Sequence, residues 1–122
     1  MLDLKDLEVY QLSKELARKA WEIYSGMDFE TKKIIGSQFI KSTDSIGANI
    51  AEGEGRFHYL DRNKFNYNSR GSLFESIHWL DVMEERKIIS KKEAGDYRTI
   101  AEELKIKLNY FIASIKKTNN NQ

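Results

Sequence analysis

The absence of proline from all 122 residues is the strongest single constraint on what this chain can become. Without proline no backbone position forbids helix, and only 7 glycines are present to loosen one, so long unbroken helices are the favoured outcome. The apolar residues are spaced to match. Val9, Leu12, Leu16, Ala20 and Ile23 step by three or four, widened by Tyr10, Ala17, Trp21 and Tyr24, and this spacing predicts a helix from about Leu7 to Ser25. Gly26 is its stop signal. Asp28 is an N-cap for a second helix running from about Phe29 to Gly53, with Ile35, Phe39, Ile46 and Ile50 inward. The Gly53 and Gly55 pair reads as a corner, followed by a third helix from about Asp61 to Arg86 with Phe65, Leu73, Ile77, Leu80 and Met83 inward. Ser90 and Glu93 form a capping box that opens a fourth helix, whose stripe is Tyr97, Ala101, Leu104, Leu108, Phe111 and Ile115. Thr118 to Gln122 is a polar stretch, read as a disordered tail.

Four amphipathic rods of about 30 to 40 Å, joined by short connections, assemble as an all-α, antiparallel up-down four-helix bundle. A mass of 14.3 kDa allows one core, so residues 1–117 form a single domain. Hydrophobic residues at 40% and charged residues at 32% suffice for that core and its solvated shell. No run of alternating apolar and polar residues offers a strand. There is no cysteine, which excludes disulfides, a thiol nucleophile and thiolate metal sites, and fits a cytoplasmic location. No stretch approaches the ~20 apolar residues that span a bilayer, and the N-terminus has no signal-peptide pattern, so no membrane partner is expected. With 20 basic against 19 acidic residues, nucleic-acid affinity could arise only from local arrangement.

The densest polar pattern is Ser42, Ser45, Asn49, Glu52 and Arg56, which recur by three and four beside the apolar stripe of the second helix. The third helix offers Ser72 and Glu75 as counterparts next to Gly71, whose missing side chain would let backbones approach. A partly buried pair of Arg56 with Glu52 or Glu75, joined to Asn49 and Ser72, is the expected construction, structural or at a subunit contact. Glu75 and His78 match half of a di-iron bundle motif. The other histidine, His58, has Gly55 in place of its glutamate, so no metal site is expected. Gly53 to Arg56 lacks the third glycine and Lys-Ser/Thr of a phosphate loop, and no serine sits in a nucleophile elbow. Neither a catalytic residue nor a cofactor is indicated. Between Arg56 and Ser72, the cations Arg56, Arg62, Lys64 and Arg70 face a single Asp61 and interleave with Phe57, Tyr59, Phe65 and Tyr67. Cations with aromatics can hold phosphates and stack bases, so these four are the candidate nucleic-acid contacts, with Lys41 a poorer one. Lys105, Lys107, Lys116 and Lys117 form a second cluster.

The run Asn49-Ile-Ala-Glu-Gly-Glu-Gly-Arg56, followed by Arg70-Gly-Ser-Leu-Phe-Glu75, resembles the 23S rRNA intervening-sequence protein family of four-helix bundles. The likeness extends from Leu4, Leu7, Val9 and Tyr10 to Leu104 and Leu108. The family's motif falls on Asn49, Glu52, Gly53, Gly55 and Arg56, and on Gly71, Ser72 and Glu75. Its usual proline after Ser-Ile is replaced by Gly47, which bears on a kink in the second helix. The resemblance implies a cytoplasmic bacterial homopentamer with no established activity, some members being encoded inside insertions of large-subunit rRNA genes. It also implies RNA association, because a related bundle binds nucleic acid as an accessory to a reverse transcriptase. The expected function is a non-enzymatic, oligomeric, RNA-associated protein. The alternatives are a protein-interaction scaffold without RNA contact and, further off, a metal-binding bundle.

Overall fold

The computed structural model of the protein describes residues 3–56 and 58–120. A 3-10 turn (Leu4–Asp6) leads into α1 (Glu8–Ser25). The second rod is composite: α2 (Phe29–Thr31) passes through a π-helical stretch (Lys32–Gly36) into α3 (Ser37–Glu54). Two longer helices, α4 (Tyr59–Glu85) and α5 (Lys91–Asn120), complete the set, and the described residues contain no strand. Consecutive rods pack side by side and α5 returns against α1, closing the ring. Contacts run in opposite senses along neighbours. Glu54 meets Arg62, Ile46 meets Ser69 and Ser45 meets Ser72 between α3 and α4, while Asn63 meets Ile112 and Asp81 meets Arg98 between α4 and α5. This is an antiparallel up-down four-helix bundle, as the apolar spacing predicts. No described helix is long and apolar enough to cross a membrane.

The helix-start signals act as expected. The Asp28 carboxylate accepts the Thr31 N–H at 2.8 Å, a bond that also holds its pKa below the ordinary aspartate value. Ser90 and Glu93 exchange bonds of 3.0 and 3.1 Å as a complete capping box. The stops work differently from the usual glycine rule. Gly26 and Gly55 have ordinary right-handed φ values of −81° and −77°, whereas the left-handed residue is Lys87 at φ 60°. There the N–H groups of Lys87 and Ile88 bond the carbonyls of Glu84 and Met83, closing α4 in a Schellman motif with lysine in the glycine position. The second rod departs from regular helix at Lys32–Gly36, and α3 runs unbroken through Gly47. α5 takes in Thr118 to Asn120 of the stretch read as a tail, while Asn121 and Gln122 lie outside the described residues.

Phe39, Ile46, Ile50, Leu73, Leu80, Met83, Leu104 and Leu108 fill the centre of the bundle. Three residues expected inside, Phe65, Ile77 and Phe111, are only partly buried, and Ile112 takes the inward place near the end of α5. The larger surprise is that α4 turns Asn63, Asn66, Ser69 and Ser76 into the core. Their polarity hides this part of the inward face from a reading based on apolar spacing, which finds Leu73, Leu80 and Met83 but not these four. Each is paired: Ser69 donates to the Ile46 carbonyl, Asn63 to the Ile112 carbonyl, and Asn66 to Asn63. Tyr97 joins Thr43 and Ser76 through bonds of 2.8 Å, and burial pushes its hydroxyl up to about 12. Among the described residues no buried side-chain polar atom lacks a partner.

Candidate nucleic-acid interface

The motif residues divide into an inner and an outer set. Asn49 donates to the carbonyl and hydroxyl of Ser45, and Ser72 donates to the same hydroxyl at 3.0 Å, so these three tie α3 to α4. Arg56 does pair with Glu52 at 2.6 Å, but on the surface rather than partly buried, with its guanidinium 5.0 Å over the Phe65 ring. Glu75 takes no part. It lies about five turns of α4 from the corner and accepts the Trp79 indole N–H at 3.0 Å. The close approach expected at Gly71 occurs at Gly53. A Cβ on Gly53 would lie 3.0 Å from the Arg62 carbonyl oxygen and 3.1 Å from the Phe65 Cβ, whereas one on Gly71 would meet nothing within 4 Å. His78 packs edge-on to Trp79, and no group of three histidine or acidic residues converges among the described residues.

The four candidate cations are also separated by the fold. Arg62 is bound to Glu54 at 2.8 Å, and Arg56 to Glu52, so each carries a carboxylate that would repel a phosphate. Lys64 and Arg70 have no carboxylate partner among the described residues. Arg70 donates to the Asn109 side chain at 2.9 Å and lies 5.0 Å over the Tyr67 ring. Lys116 arrives from α5, 5.3 Å from the same ring, as the one member of the C-terminal cluster to do so. Lys105 is tied to Glu102 and Lys107 to Glu8. Lys41 is exposed on α3 and does not line this groove, and Phe57 lies outside the described residues.

The result is a groove of about 390 Å³ between α4 and α5, lined by Tyr59, Leu60, Asn63, Lys64, Tyr67, Asn68 and Lys116. None of the described side chains lining it is acidic. Antiparallel packing makes the site: Tyr67 near the start of α4 is set beside Lys116 near the end of α5, residues far apart in sequence. Leu60 is 69% exposed, an apolar surface in the same groove as Lys64 and Lys116. Such a surface can attract a phosphate chain while offering a flat face to a base.

The family model for the 23S rRNA-intervening sequence protein matches residues 5–110. The chain belongs to that family. In this chain the inner motif residues hold α3 to α4, and the groove lies between α4 and α5. A crystal structure of a protein of unknown function from the S23 ribosomal protein family of Bacteroides thetaiotaomicron is similar in fold, with a TM-score of 0.82. The two share 24% identity over 89% of this chain and 98% of that one. No curated protein matches the chain.

Proposed function

We propose that this intervening-sequence protein is a non-enzymatic RNA-associated protein that works as a homo-oligomer, a pentamer by family resemblance, and that it holds RNA in the α4–α5 groove. One observation carries the reading: Lys64 from α4 and Lys116 from α5 line one groove with Tyr67, whose ring also lies 5.0 Å from the Arg70 guanidinium, and none of the described side chains lining the groove is acidic. A few phosphate contacts per subunit are weak alone, and repetition around an oligomer multiplies them. The family's name, taken from an insertion in 23S rRNA, supports RNA as the polyanion.

The test compares two charge-removal pairs by fluorescence anisotropy with labelled structured rRNA over a range of salt. Lys64→Ala with Lys116→Ala is expected to weaken binding and flatten the salt dependence, because each lost phosphate contact removes about 0.7 to 0.9 from the log–log slope. Arg56→Ala with Arg62→Ala is expected to change both much less. Equal losses from the two pairs would move the site away from this groove. No binding at low salt would replace RNA with a protein partner.

A further inference from the structure

We infer that the α4–α5 groove takes an unpaired nucleotide, its base laid on the apolar floor and its phosphates at the rim. This inference rests on the RNA reading above and narrows its ligand to single strands.

The floor carries the argument. Leu60 and Tyr67 are exposed large hydrophobic side chains in the same groove as the ammonium groups of Lys64 and Lys116. A duplex shows a protein its phosphates and sugars, with the base faces hidden in the stack, so it would meet the cations and leave this carbon surface unused. An exposed base covers both. Tyr67 is already held under two cations, Arg70 at 5.0 Å and Lys116 at 5.3 Å. Arg70 is anchored to Asn109, while Lys116 is exposed on a long flexible stem. Lys116 is therefore the group that can swing from the ring to a phosphate and give its place to a base. The two amides differ in the same way. Asn63 is buried and spent on Ile112 and Asn66, whereas Asn68 is exposed at the edge of the groove, within reach of a base.

The experiment titrates the full chain with single-stranded oligouridylate and with an RNA hairpin stem of equal charge, at one salt concentration. The wild-type protein is expected to prefer the single strand. Tyr67→Ala should weaken single-strand binding by about tenfold, the size of one lost stacking contact, and leave the stem unchanged. Tyr67→Phe should keep the preference, since it retains the ring. Tyr67 is at the surface, and the circular dichroism melts of both variants check that they fold. Equal affinity for strand and stem, or equal loss on both in Tyr67→Ala, overturns the inference while the RNA reading stands. Failure to bind either RNA overturns the RNA reading itself.

Discussion

Asp44 is an isolated charge in this bundle. It borders the groove between α1 and α3 beside Lys14, yet makes no ion pair or hydrogen bond among the described residues. Partial burial raises its pKa above the ordinary aspartate value of 3.8. The folded state therefore holds this proton more tightly than the unfolded chain, and stability falls as pH rises through that region and Asp44 ionises. Asp44→Asn is expected to raise Tm at pH 7, with the gain shrinking to nothing below pH 3.8, as thermal melts at both pH values would reveal. Asp96 has the opposite sign. Its bond to Lys92 holds its pKa low, so its contribution is present at neutral pH and is lost as pH falls below 3.8. At this scale the sequence was only partly legible. Ser45, Asn49 and Ser72 join as their spacing suggests, and Arg56 pairs with Glu52, but that pair stays on the surface and Glu75 lies too far along α4 to join it.

At the level of the helices, each glycine matters through what stands opposite it. Gly53→Ala would push a methyl group against the Arg62 carbonyl, a backbone atom that cannot turn aside, and is expected to destabilise by about 1 to 3 kcal/mol. Gly71→Ala faces open space within α4 and is expected to stabilise by up to about 1 kcal/mol through helix propensity. Lys87→Gly relieves the left-handed backbone at the end of α4 and should add about 1 kcal/mol. Urea denaturation of the three variants orders them as Gly53→Ala below the wild type and the other two above it. The helices themselves were readable because proline is absent and the apolar steps are regular. Leu73, Leu80 and Met83 on α4 were readable in the same way, but its buried Asn63, Ser69 and Ser76 were not, since they are satisfied by partners on other helices, Ile112, Ile46 and Tyr97.

The whole molecule exposes more apolar surface than its core requires. Trp21, Phe29 and Ile34 are 60%, 75% and 68% exposed near the junction of α1 with the second rod, and on α5 Tyr110 is 72% exposed. Large apolar side chains left in solvent are the material from which association surfaces are built. Light scattering is expected to give a mass several times 14.3 kDa at micromolar concentration, and Tm is expected to rise with protein concentration. A monomer with a concentration-independent Tm would remove the oligomer and with it the multivalent binding mechanism.

The amino-acid sequence alone determined the class, the number of rods, most of the core and the capping of two helices, because these depend on interactions within a turn or two of the chain. Tertiary structure decided which cations stay unpaired. Arg56 meets Glu52 through a four-residue spacing visible in the sequence, but Arg62 is neutralised by Glu54 only once the corner folds, and Lys116 reaches Tyr67 only because α5 runs antiparallel to α4. Charge pairing across the corner and groove shape depend on distances between helices, which no spacing within one helix encodes.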